Sequence, residues 1–184
     1  GNAGSGFVNF IAGNLDNGVL MSGTGVFSNS VFGNYIGTNL TGTLKLFNGA
    51  FGVIGYQGAH HNRIGGASKG NLISSKLEAV MLYGDANDNT VQSNRIGINA
   101  TASNVLGMTT SCVVVSLSRR NKIGGNMGAG EGNIIGGCFR GVSLSNAPEN
   151  LVQGNHIGTN LTGTVGLGNS AAGIRIASAD ANLI

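Results

Sequence analysis

Six copies of a small residue followed by alternating apolar residues, two columns of asparagine in step with them, and a composition rich in glycine but poor in charge predict an all-β solenoid. The expected form is a parallel β-helix with three short strands per coil and about six coils. The chain has 184 residues, 34 of them Gly and 24 Asn, and only 9% are charged, against about 25% in ordinary globular proteins. Apolar residues still make up 41%. They recur with a short period, which separates this composition from a disordered one.

The first strand of each coil opens at Gly18-Val-Leu-Met21, Gly52-Val-Ile, Ala79-Val-Met-Leu82, Cys112-Val-Val-Val115, Gly141-Val-Ser-Leu144 and Gly173-Ile-Arg-Ile176, and successive starts lie 34, 27, 33, 29 and 32 residues apart. Alternation of inward and outward residues is the period of a strand. The glycine content and the absence of a 3.6-residue pattern oppose helix. Nine to eleven residues after each start comes a second strand of the form Asn-x-Val/Ile/Leu, at Asn29, Asn62, Asn89, Asn121, Asn150 and Asn182. A third strand follows Asn9, Asn34, Asn71, Asn94, Asn133 and Asn155. In both series the Asn and the next-but-one apolar residue share the inner face. A buried carboxamide needs partners for its oxygen and its nitrogen. In stacked coils each can bond its equivalent in the next, so two internal asparagine ladders are expected, and they pin the register.

Coils of two kinds alternate. After Asn34, Asn94 and Asn155 the third strand runs into Ile-Gly-Thr-Asn or Ile-Gly-Ile-Asn, whereas after Asn62 and Asn121 the second strand runs into Ile-Gly-Gly and a glycine-rich loop. The repeat is therefore two coils, about sixty residues. Three such repeats make residues 1–184 a single solenoid domain, roughly 30 Å long at ~4.8 Å per coil. Reading Ile184 into Gly1 reproduces the pattern of Ile123-Gly-Gly-Asn-Met-Gly-Ala-Gly-Glu-Gly-Asn133. Neither end carries a polar cap of the kind solenoids use for solubility. An uncapped rod that joins head to tail is therefore expected, either a processed subunit or a segment of something longer.

The pattern Gly-Val-x-Ile … Asn-x-Val-x-Gly-Asn-x-Ile-Gly-Thr-Asn … Thr-Gly-Thr resembles the right-handed parallel β-helix repeats of large bacterial extracellular and cell-surface proteins. The resemblance covers the whole chain and implies a right-handed coil and an extracellular or cell-surface location. The same fold serves pectate lyases, polygalacturonases, adhesins and phage tailspikes, so it does not select a function.

The expected role is structural: a subunit or repeat segment of a head-to-tail filament or surface fibre, with other copies of the chain as partners and no cofactor. Two alternatives are an adhesin stalk and a polysaccharide-binding or polysaccharide-degrading β-helix, for which a polysaccharide is the partner. An enzyme of the last kind needs carboxylates paired for acid–base work or for holding a cation. The best candidates are Asp85 and Asp88 in one turn with Arg119 in the same turn of the next coil. A solvated turn with neighbouring opposite charges is the simpler reading of that cluster. His60, His61 and His156 have no metal-ligand spacing. A net charge of +3 without a basic run or interleaved aromatics gives no nucleic-acid footprint. No apolar run reaches the length of a membrane helix.

Three further groups stand out. Outward strand positions are unusually apolar, with Leu20, Ile54, Met81 and Val114 on the first strand and Phe10, Tyr35, Leu72 and Ile134 on the third, a pattern that reads as an interface or as a face over which a loop folds back. The tripeptides opening at Asn39, Asn99 and Asn160 are glycosylation sequons if the chain is exported, or turn-closing residues if not. The two cysteines make no disulfide framework. Cys112 lies in an apolar run and is expected as a small buried hydrophobe, with the chemical state of both Cys112 and Cys138 open.

Overall fold

The computed structural model describes residues 8–108 and 110–184. The expected join at Gly1 lies outside them. The chain winds as a parallel β-helix. After β1 (Phe10–Ile11) come β2 (Val19–Ser22), β3 (Ser30–Val31) and β4 (Tyr35–Ile36), then β5 (Val53–Tyr56), β6 (Arg63–Ile64) and β7 (Leu72–Ile73). The next coils hold β8 (Val80–Tyr83), β9 (Thr90–Val91), β10 (Arg95–Ile96), β11 (Val113–Ser116), β12 (Lys122–Gly124) and β13 (Ile134–Ile135). The last hold β14 (Arg140–Ser145), β15 (Leu151–Gln153), β16 (His156–Ile157) and β17 (Ala172–Ala177). Every third strand joins the same sheet. The three sheets run β2-β5-β8-β11-β14-β17, β3-β6-β9-β12-β15 and β1-β4-β7-β10-β13-β16. All pairings between these strands are parallel, and connections between parallel strands of one sheet take the right hand. Leu183 extends the second sheet by one bridge to Leu151.

The registers are those of the repeat. Val19, Val53, Val80, Val113, Val142 and Ile174 stack through the first sheet, and Ile11, Ile36, Ile73, Ile96, Ile135 and Ile157 stack through the third. These columns form one continuous apolar core in which Ile36, Val53, Ile73, Val80, Ile96, Val113, Ile135 and Val142 are fully buried. Core residues one coil apart are identical or nearly so, and a one-residue slip in any strand would turn its apolar side outward.

The turn that enters the second strand carries unusual backbone. The residue before each asparagine of the second-strand column has left-handed φ: Ser28 (57°), His61 (54°), Asp88 (58°), Arg120 (53°), Glu149 (59°) and Ala181 (52°). None is glycine, although this region disfavours residues bearing a Cβ. The stack is held there by the ladder behind it, and consecutive residues of the column share one geometry.

Candidate functional site

Both expected ladders are present. In the third-strand column Asn9 Nδ2 donates to Asn34 Oδ1 at 2.8 Å, and the same bond continues from Asn34 to Asn71 (3.1 Å), Asn94 (2.9 Å), Asn133 (3.0 Å) and Asn155 (2.8 Å). Backbone N–H groups of Asn34, Asn71, Asn94 and Asn133 also donate to the next Oδ1. In the second-strand column the backbone bond is the constant one. The N–H groups of Asn29, Asn62, Asn89, Asn121 and Asn150 donate to Asn62, Asn89, Asn121, Asn150 and Asn182 at 2.8–2.9 Å. Carboxamide-to-carboxamide bonds join only Asn29–Asn62, Asn89–Asn121 and Asn121–Asn150 there. Asn62 and Asn150 turn their Nδ2 onto the carbonyls of Val26 and Ser118 instead.

A third, interrupted ladder was not anticipated. Asn14 donates through its N–H (3.1 Å) and Nδ2 (2.8 Å) to Asn48 Oδ1. Far along the rod the N–H of Cys138 donates to Asn169 Oδ1 at 3.1 Å. Its sequence signal was available: Asn14, Asn48 and Asn169 each stand four residues before the small residue that opens a first strand.

Cys112 is buried as expected, but as half of a disulfide and not as a free thiol. Cys112 and Cys138 form a disulfide with Cα atoms 5.6 Å apart. They lie 26 residues apart in sequence but on facing positions of adjacent coils, a relation that only the folded register reveals.

The apolar outer columns are also corrected. Leu72 (4% exposed), Ile134 (6%) and Ile54 (7%) are buried and offer no surface to a partner. Three loops, closed by bridges at Thr38–Lys45, Ile98–Val105 and Thr159–Gly166, fold back over the third sheet. An added Cβ on Gly42 would sit 2.7 Å from the Ala100 Cβ and 3.2 Å from the Tyr35 ring, so that loop lies on the sheet and on its neighbour. Ile98, Ala102 and Leu167 from the other loops bury Ile134 in a cluster of its own. Ile54 is hemmed in by Leu20 and Met81, its partners one coil to either side. Met81, Val114 and Tyr35 are half-buried, and Leu20 (56%) and Phe10 (47%) remain exposed.

The sequon asparagines close those loops. Asn39 Oδ1 accepts from the N–H groups of Thr43 and Leu44 at 2.9 and 3.0 Å, while its Nδ2 donates to Thr41. Asn99 and Asn160 accept from Ser103 and Asn104 and from Thr164 and Val165 in the same way. Asn99 is buried, so its nitrogen is shut off from a glycan.

At the turn between first and second sheets, Asp88 pairs with Arg120 rather than Arg119. Arg120 Nε and Nη2 grip the carboxylate at 2.8 and 2.9 Å, and its Nη1 lies 3.8 Å from Glu149. This bidentate bond holds the Asp88 pKa below the ordinary carboxylate range. Arg119 instead lines a shallow open depression of about 190 Å³ with Asp85, Asn87, Leu117, Asn146 and Pro148. Asp88 is thus bound to Arg120, while Asp85 lies in the wall of the depression with Arg119. Beside them Phe27 stacks on His60, whose Nδ1 lies 2.8 Å from that of His61. Among the described residues no three His, Cys, Asp or Glu side chains are placed to hold a metal ion, and no helix is long and apolar enough to cross a membrane. Comparison with protein-family models, curated proteins and solved structures finds no match, and function has to be read from the chain's own residues.

Proposed function

We propose that this chain is a structural solenoid of an exported protein, a stiff segment of a filament or surface fibre in which coil stacks upon coil. The observation that carries the reading is the uniform stacking: coil after coil offers the next the same three parallel strands and the same two asparagine columns, so a coil face left open accepts another strand unless it is blocked. A second chain entering in register would continue the sheet by a head-to-tail contact that does not close into a ring, which builds a fibre. The Cys112–Cys138 bridge supports export, since disulfides persist in oxidising compartments. The polar chemistry supports a non-enzymatic role: interior asparagines are spent on each other, and a carboxylate clamped by arginine, as Asp88 is, is a weak general base.

Sedimentation of the purified chain over a range of concentrations, with electron microscopy of the same samples, tests the proposal. Filaments that lengthen with concentration are expected. A monodisperse monomer at the highest concentration refutes it.

The depression beside Asp85 favours one second reading, a weak polysaccharide-binding surface. Asp85, Arg119 and Asn146 converge there with Leu117 and Pro148, a mixture of hydrogen-bonding groups and apolar surface that suits a sugar ring. Binding of pectin or alginate oligosaccharides that is lost in Asp85→Ala would establish it, and equal binding by that variant would remove it.

A further inference from the structure

Cys112 and Cys138 stand where the solenoid elsewhere places a glycine and an asparagine. Cys138 follows Ile135 by three residues, as Asn14 follows Ile11. Its N–H donates to the asparagine of the next coil at 3.1 Å, as the N–H of Asn14 does. Cys112 directly precedes Val113, as Gly18 precedes Val19 and Gly141 precedes Val142. At Gly18 an added Cβ would lie 2.8 Å from Asn48 Nδ2, and at Gly141 3.1 Å from Asn169 Nδ2. Glycine there makes room for the carboxamide of the following coil. At the joint between the coils of β11 and β14 both places are taken by sulfur.

We infer that the Cys112–Cys138 bridge is a covalent rung of the third ladder, a lock that oxidation closes at one coil joint and that the closed solenoid then shields from reductant. Closure transfers two electrons to a disulfide oxidant such as oxidised glutathione. The two protein sulfurs join, and the two thiol protons end on the two glutathione thiols released. The reduced form is accommodated, because the Gly136 carbonyl lies 3.6 Å from each sulfur and the Ile96 carbonyl 3.7 Å from Cys112 Sγ, ready to accept from a thiol. The closed form is sealed: Cys112 is 0% and Cys138 2% exposed. Gly97 leaves just enough space, since a Cβ there would fall 2.8 and 3.0 Å from the two sulfurs.

The test uses amide exchange at Cys112 and Gly136, whose N–H groups cross this joint to Arg140 and Ile96. The oxidised chain should keep its bridge in dithiothreitol under native conditions and lose it in urea, as read by mass after alkylation. A chain refolded in dithiothreitol should retain its β circular dichroism while these two amides exchange at least tenfold faster. The sulfur-free variant C112G/C138N, which restores the rung used elsewhere, should exchange like the oxidised chain, and C112A/C138A like the reduced one. The proposal is overturned if C112G/C138N does not fold or exchanges as fast as C112A/C138A. It is equally overturned if native dithiothreitol opens the bridge, or if reduction leaves both amides unchanged. None of these outcomes depends on whether the rods form filaments.

Discussion

Asn94→Ala removes a fully buried, four-bonded rung of the third-strand ladder. Asn94 is 0% exposed. Its Oδ1 accepts from both the N–H and the Nδ2 of Asn71 at 2.9 Å, and its Nδ2 donates to the Ile64 carbonyl at 2.9 Å and to Asn133 Oδ1 at 3.0 Å. Alanine deletes these four bonds and leaves the Asn71 N–H buried without a partner. At about 1 kcal/mol net per bond the loss is about 4 kcal/mol, a large share of the ~5–15 kcal/mol that holds a typical domain folded. Asn9→Ala, at the exposed start of the same column, deletes one side-chain bond and should cost about 1 kcal/mol or less. Urea unfolding followed by circular dichroism, with the slope held common to all variants, measures both. If Asn94→Ala falls within 1 kcal/mol of Asn9→Ala, the ladder is not what stabilises the stack. Asn94→Asp adds a signed check. Its carboxyl keeps the two accepting bonds but must remain neutral to donate, so burial raises its folded pKa above the unfolded one. The variant's stability is therefore greatest at low pH and falls as pH rises through the folded pKa.

Three shorter predictions follow from the surface. Asp88 has a depressed folded pKa because of its bond to Arg120; the stability it contributes is present above the unfolded pKa and lost as pH falls through the folded one. Carboxyl NMR titration should therefore show the Asp88 pKa rising toward the ordinary value in Arg120→Gln, and an unchanged value would deny that the pair forms. Glu78 is shifted the other way, its pKa raised chiefly by burial. Its contribution is favourable at low pH and lost as pH rises through the raised value, so Glu78→Gln should raise the melting temperature slightly at pH 7 and have no such effect at pH 4. Asn99→Ala should speed amide exchange at Ser103 and Asn104, whose N–H groups it strands, while the first-sheet amides stay protected; uniform exchange throughout would show that the loop is not closed locally.

The frame was legible in the sequence because identical environments recur. Each apolar column and each ladder asparagine is reported once per coil, and Asn71 and Asn133 occupy their predicted places despite unequal loops before them. The surface was not legible in the same way. Leu72 and Ile134 read as an exposed face because period-2 alternation cannot show that loops closed by Asn39, Asn99 and Asn160 return to cover it. Cys112 and Cys138 become neighbours only through stacking, and local context suggested burial for Cys112 and nothing for its partner. Arg119 and Arg120 are adjacent and chemically alike, but Arg120 precedes Asn121 as Asp88 precedes Asn89, and stacking in that register brings Arg120 to Asp88.

The left-handed corner has a consequence for how such a rod can change over generations. Serine, histidine, aspartate, arginine, glutamate and alanine occupy successive levels of that column with φ between 52° and 59°, so side-chain identity there is uncoupled from the path of the chain. Substitution at this corner rewrites what the rod presents while its frame stays put, one position per ~4.8 Å of length. The edge works as a ruler whose graduations can be relabelled, singly or as a paired set like Asp88 and Arg120, while the frame is kept.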